Sequence, residues 1–440
     1  MNVAVTGATG FIGRALVAAL NDRGDRVVAL GRNPQAGDFA GIDAVVHLAG
    51  EPVSGRWTEQ KKRAIRESRV AGTHRLVEAL EACDVRPATL VSASAVGFYG
   101  SRGDEPLDET SSAGEDFLAG VCFDWEAAAR AAEALGMRSV QLRTGIVLGK
   151  GGALAAMEMP FRLGLGGPFG NGRQFVPWIH IDDVVALYLL ALDRGDLRGA
   201  VNAVTPDYAT SARFSQALGT ALHRPAFTPA PSFALRAVLG EFTSTILASQ
   251  LVLPTRALDA GFIWQHPVLE DAMVRALDAH ARAPYGVQRF ETTQVVEASL
   301  EEVFAFFSNP RNLEALTPAS LNFGFRECPA TLERGSRISY KLRLHGLPMS
   351  WETLIAEWEP PLRFVDVQLH GPYASWHHEH LFERTDAGVA ITDRVRYVLS
   401  SPLGALAQPI VEHDVERIFA YRRQSIADRW RGRQEVPLRL

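Results

Sequence analysis

Three glycines near the start of this 440-residue chain are spaced for phosphate chemistry. Gly7, Gly10 and Gly13 form a G-x-x-G-x-x-G run. An apolar stretch, residues 3–5, precedes it, and Ile12, Leu16, Ala19 and Leu20 follow on one helical face. Strand, glycine turn and helix in that order make a seat for a pyrophosphate. Gly7 permits the tight turn, Gly10 lets the backbone approach the phosphates, and Gly13 lets the helix pack closely on the strand. The first N–H groups of the helix and its positive dipole end then face the anion. A second apolar run, residues 26–30, ends at Gly31-Arg32. In a dinucleotide fold this strand end meets the adenosine ribose, where an acid would bind the 2′-hydroxyl. None stands here. The Arg32 guanidinium suits a 2′-phosphate instead, so the expected cofactor is NADP rather than NAD. A surface arginine bathed in water is the plain alternative.

The elements that must position these residues alternate between strand and helix. Only residues 33–42 separate the second strand from a third at 44–48, too few for a crossover helix and another strand. One unit of the usual sheet is therefore expected to be missing or collapsed, which leaves the adenine side more open than usual. Thr58 is placed to cap a long helix to Ala82, and a strand at 89–92, a helix at about 117–135 and a strand at 140–143 come next. This is the α/β pattern of a doubly wound, Rossmann-type parallel sheet with ligands at the carboxyl ends of its strands. Asp182 or Asp183 is expected to cap a helix at 184–192. A stretch bearing Pro and Gly, 281–286, reads as a linker between a first domain, 1–282, and a second, 286–436. The second shows a strand, a short helix at 300–307, five strand-like runs between 336 and 399, and a long helix at about 410–430. That is an α+β arrangement in which a curved sheet grips a helix.

The net charge of −5 comes with no dense Lys/Arg run, which argues against a nucleic-acid partner. No segment is long and apolar enough to span a membrane, and the first strand begins at once, so neither a membrane partner nor a leader peptide is expected. Cys83, Cys122 and Cys328 are scattered, as suits free thiols in a reducing compartment, and the cytoplasm is the expected location. His378 and His380 share a strand face with Trp376 and Phe382. With no convergent third and fourth ligand evident, no metal is expected there. Trp351, Trp358 and Trp376 are spaced either to line an apolar cavity or to pack sheet against terminal helix.

The segments TGATGFIG (6–13), HLAGEPV (47–53), SASAVGFYG (92–100), LRTGIVLG (142–149), RLGLGGPFGNGRQFVPWIHIDD (162–183) and LDAGFIWQHPVLEDAM (258–273) occur in this order. Together they resemble the epimerase-family proteins, an atypical branch of the extended short-chain dehydrogenase/reductases, over about residues 1–280. The resemblance implies NADP(H) held by Gly7, Thr9, Gly10, Phe11, Ile12, Gly13, Arg32, Leu48, Ala49, Gly50, Ser92 and Arg143. It also implies a small lobe that brings Arg162, Arg173 and Trp178 to a small-molecule substrate. WHHEHLFE (376–383) and TDRVRY (392–397) are similar to segments of START-like domains of the SRPBCC, polyketide-cyclase type. That implies a pocket for an apolar ligand.

Ordinary relatives use a Ser or Thr with a Tyr-x-x-x-Lys pair. The lysine and the cofactor lower the phenol's pKa so that it trades a proton while hydride moves. Ser94 matches the hydroxyl, but Leu118 and Cys122 stand at the Tyr and Lys positions and Arg69 at that of a relay Asn. The expected substitutes are Tyr99 as proton donor and Glu51 as a base with a pKa raised by burial. Cys122, among apolar neighbours, reads as an inert thiol. The expected function is an NADP(H)-dependent oxidoreductase or epimerase acting on a small carbonyl or alcohol. A non-catalytic NADP(H)-dependent sensor or scaffold is the alternative.

Overall fold

The computed structural model describes residues 1–277, 287–399 and 404–431. The chain divides into two compact units, Met1–Pro284 and Tyr285–Leu440. The predicted linker at 281–286 lies outside the described residues.

In the first unit, β1 (Asn2–Thr6), β2 (Arg26–Leu30), β3 (Ala44–His47), β4 (Thr89–Ala95), β5 (Arg138–Thr144) and β6 (Gly199–Ala203) form one sheet. Their order is β6-β5-β4-β3-β1-β2, and every pairing is parallel. The inner strands read as unbroken apolar runs because both faces are covered. Val3, Val5, Val46 and Val91 pack with Leu16 and Leu20 of α1 (Phe11–Asp22), whereas Ala4, Val45 and Leu90 meet Leu76 and Leu80 on the other side. The usual unit between β2 and β3 is reduced to a single 3₁₀ turn, Ala36–Phe39, and β2 is left at the sheet edge. The strand order reverses between β1 and β3, so the crevice for a ligand opens at their carboxyl ends.

Thr58 caps α2 (Glu59–Arg66) by accepting from the Lys61 N–H at 3.2 Å. The single helix expected to Ala82 carries a π-helical turn, Glu67–Ala71, before α3 (Gly72–Glu81). Then come α4 (Phe117–Arg130), α5 (Gly152–Arg162) and α6 (Ile181–Asp193). The cap expected of Asp182 or Asp183 is made by His180, whose Nδ1 accepts from the Asp182 N–H at 3.2 Å. Asp183 is turned into the core and accepts instead from the N–H groups of Gln265 (2.7 Å) and His266 (3.1 Å). Tertiary hydrogen bonds to a segment eighty residues on outcompete the local cap.

The second unit comprises β7 (Val287–Val296), α7 (Leu300–Phe307), β8 (Gly324–Glu327), β9 (Arg337–Leu344), β10 (Leu347–Glu359), β11 (Arg363–His370), β12 (Tyr373–Thr385), β13 (Gly388–Leu399) and α8 (Gly404–Arg431). Its strands form an antiparallel sheet in the order β7-β13-β12-β11-β10-β9-β8. Ile355, Phe382 and Ile391 from the sheet pack with Phe306 and Phe307 of α7 and with Ile426 and Trp430 of α8. The short strand β8, mostly exposed, had no signal in the sequence. No helix among the described residues is long and apolar enough to cross a membrane.

Candidate functional site

At the crevice, the glycine turn is as crowded as its spacing implied. Gly7 has φ +68°, and a Cβ there would lie 2.8 Å from the Leu48 carbonyl carbon. A Cβ on Gly13 would come within 2.1 Å of the Gly7 oxygen. Bare backbone is required at both positions. Gly10 caps α1 with no side-chain hydrogen bond, so no side chain of the cap covers the first N–H groups of the helix. Leu48, Ala49 and Gly50 lead out of β3 beside Gly7, and Arg32 stands exposed past the end of β2. A dinucleotide pyrophosphate fits this cradle, because an anion satisfies the N–H groups and meets the positive helix end. The Phe11 ring is held from the far side by Gly149 and Gly151, where a Cβ would approach it to 2.8 Å.

Below the next strands lies a closed polar network. Ser94 Oγ donates to Glu126 Oε1 (2.7 Å), and Arg143 grips the same carboxylate through Nε (2.8 Å) and Nη2 (2.9 Å). Arg143 Nη1 also donates to the Tyr99 hydroxyl at 2.9 Å, and that hydroxyl lies 2.7 Å from Asn202 Oδ1. The guanidinium sits 3.5 Å over the Phe98 ring. Tyr99 is 0% exposed and Glu126 1%. Burial raises the Tyr99 pKa above its ordinary value, with the opposing Arg143 charge unable to reverse it. A phenol so enclosed holds its proton. The network therefore unites Ser94, Tyr99 and Arg143 but spends their polar atoms inside the fold. The Arg143 side chain is thus engaged with Glu126 and Tyr99, and Ser92, 0% exposed, donates to the Ala93 carbonyl.

Glu51 is not part of this group. Its carboxylate is 41% exposed and pairs with Lys61 Nζ at 2.8 Å. The hydrogen bond from Lys61 lowers its pKa, so the rise expected from burial is corrected to a fall. Leu118 and Cys122, which the sequence resemblance sets at the Tyr and Lys positions, face Gly97 in the loop after β4. Burial pushes the Cys122 thiol up to about 12, so at neutral pH it is an inert packing group. Arg69, in the π-helical turn, donates to the Glu51 carbonyl (2.8 Å) and lies 5.1 Å over the Trp125 ring. Of the expected substrate residues, Trp178 is 1% exposed and donates to the Asp207 carbonyl. It is a wall of the core. Arg162 pairs with Glu158 on its own helix at 2.8 Å, and Arg173 is exposed.

Two residues escaped the sequence reading. Glu126 is the acceptor that organises the network, and its signal was a lone carboxylate in an alanine-rich helix face. His47 ends β3, where Nδ1 meets Thr6 Oγ1 (2.7 Å) and Nε2 meets Thr73 Oγ1 (2.9 Å). Burial pushes its pKa down to about 4. The ring is neutral and ties the crevice strands to α3.

Comparison with known proteins agrees with the architecture of the first unit. The profile of the NAD dependent epimerase/dehydratase family matches residues 3–203, and that of a domain of unknown function, DUF1731, matches residues 230–276. The chain is 40% identical to the epimerase family protein SDR39U1 homolog, chloroplastic, of Arabidopsis thaliana, over 62% of this chain and 86% of that protein. It is also 40% identical to the epimerase family protein SDR39U1 of Mus musculus, over 62% of this chain and 98% of that one. The crystal structure of human epimerase family protein SDR39U1 (isoform 2) with NADPH has a TM-score of 0.58 at 38% identity, covering 63% of this chain and 99% of that one. The chain belongs to the NAD-dependent epimerase/dehydratase family.

Proposed function

We propose that the first unit binds NADP(H) and acts as an oxidoreductase or epimerase of the atypical short-chain type on a small carbonyl or alcohol. The observation that carries this reading is the cradle at Gly7 and Gly13, where no Cβ fits and a helix end is left uncapped by side chains. NADP(H), when bound, supplies hydride transfer at its nicotinamide. The backbone around Gly7, Gly10 and Gly13 would hold the pyrophosphate and Arg32 the 2′-phosphate. With Tyr99 and Ser94 enclosed, Glu51 beside Lys61 is the expected acid–base group still in contact with water. The enclosed network also favours the second reading, in which NADP(H) is bound without turnover and the chain works as a sensor or scaffold. The second unit, in this proposal, is a START-like domain for an apolar ligand. A cavity of about 170 Å³ supports that, lined by Phe307, Leu316, Tyr340, Trp351 and Trp376.

Fluorescence titration with NADPH and with NADH tests the cofactor. NADPH is expected to bind at least about tenfold (about 1.4 kcal/mol) more tightly, with the preference lost in Arg32→Ala. Equal binding of both nucleotides would remove Arg32 from the site, and binding of neither would overturn the proposal. NADPH oxidation by a panel of small carbonyls then separates enzyme from sensor.

A further inference from the structure

The cavity of the second unit has one polar end. Asp366 on β11 is paired across the ladder with His378 on β12, and His380 with Asp393 on β13. The two imidazoles lie 3.8 Å apart between the carboxylates. His378 Nδ1 and His380 Nε2 both face Asp366 Oδ2, at 3.2 and 2.9 Å. Their other nitrogens, His378 Nε2 and His380 Nδ1, both face Asp393 Oδ1 at 3.0 Å. Asp366, His378 and His380 line the cavity, as does Arg422, whereas Asp393 lies behind them, 2% exposed.

We propose that Asp366, His378 and His380 form a site for a divalent transition ion of the Zn²⁺ or Fe²⁺ class, with its open positions facing the apolar cavity. Three independent features carry this. The three donor atoms lie within 4.8 Å of one another, and ligands about 2.0–2.1 Å from one ion stand about 3 Å apart. Two imidazoles and one carboxylate are the donor set such ions take when they keep a position for substrate. Each histidine also hands its remaining nitrogen to one carboxylate, Asp393, the outer contact that fixes tautomer and ring orientation in metal sites. Arg422 holds Asp393 through Nε and Nη2, both at 3.3 Å, and its Nη2 lies 3.2 Å from His380 Nδ1. With His380 Nε2 on the ion, Nδ1 carries its proton to Asp393, and Arg422 keeps Asp393 alone. Phe364 stacks on His380 at 4.1 Å, and Phe419 meets His378 edge-on at 5.3 Å. The rings are thus fixed before any ion arrives. An ion with two carboxylates and one guanidinium leaves one net positive charge, so the open position favours an anionic oxygen, such as the carboxylate of an otherwise apolar molecule.

The test uses the full chain, stripped by a chelator and titrated with Co²⁺ and then Zn²⁺. Expected are about one ion per chain and a visible Co²⁺ ligand-field band that octanoate shifts. Both ion and band are lost in Asp366→Asn and His380→Gln, with far-UV dichroism matching the parent, and Asp393→Asn weakens binding about 10–100-fold. His266→Gln, in the first-unit group of His180, Asp182 and His266, changes nothing. Should the parent bind well under one ion, should His380→Gln bind as the parent does, or should His266→Gln abolish binding, the site is wrong. An octanoate-insensitive band would overturn the open position.

Discussion

The two units each bury a charged cluster built on the same principle, an arginine clamped to a carboxylate, and put it to opposite ends. Around Glu126 the clamp is complete: Ser94, Arg143, Tyr99 and Asn202 satisfy one another, and Tyr99 is fully enclosed. Around Asp393 the clamp stands behind two histidines whose other nitrogens converge on Asp366 at a cavity wall. Residue type alone does not separate a scaffold from a site. What separates them is whether polar atoms converge on a space that another molecule can enter. The polar atoms of the first cluster are satisfied within the fold, whereas the second opens on a cavity.

The largest effect that would break the comparison lies at Glu126. Glu126→Ala leaves Arg143 buried without its carboxylate, which is expected to cost about 3–5 kcal/mol in denaturant unfolding of the chain. A loss below about 1 kcal/mol would mean that the network is loose enough to work as a site. His47 sharpens the contrast between a buried histidine with hydroxyl partners and two with carboxylate partners. Its pKa falls from the ordinary 6.5 to about 4 on folding, so the unfolded chain binds the extra proton between those values. Its contribution is complete above pH 6.5 and is lost as pH falls toward 4, by about 3 kcal/mol in all. Stability curves at pH 7 and 4.5 should therefore converge in His47→Asn relative to the parent. Tyr99→Phe is the smallest, about 1–2 kcal/mol of stability from the partners it deserts, with NADPH oxidation by the folded protein unchanged. A hundredfold loss of rate at intact stability would return Tyr99 to the chemistry.

Features local to the chain are legible in the sequence itself. The glycine turn, the strands around it and the reduced sheet unit follow from spacing and length, and so does the shared face of His378 and His380. What escaped depends on register and burial. Asp366 could not be recognised as a third ligand, because only the pairing of β11 with β12 sets it opposite His378. Ser94 was correctly placed at a strand end, but nothing in its neighbours in sequence showed Glu126 waiting beneath it. The direction of the Glu51 pKa shift is not legible in the sequence, because Lys61, in the first turn of the next helix, reaches back to it. The cap of α6 failed for a related reason, since distant N–H groups drew Asp183 inward.

Asp366, His378, His380 and Asp393 come from β11, β12 and β13, three strands consecutive in the chain, and only Arg422 arrives from elsewhere. Much of the cavity wall is supplied by other stretches, among them Phe307, Leu316, Tyr340 and Trp351. The reactive pole and the shape around it are thus inherited through separate pieces of polypeptide. A lineage can reshape the chamber to admit a different guest while the pole passes on untouched, or lose the pole and keep the chamber.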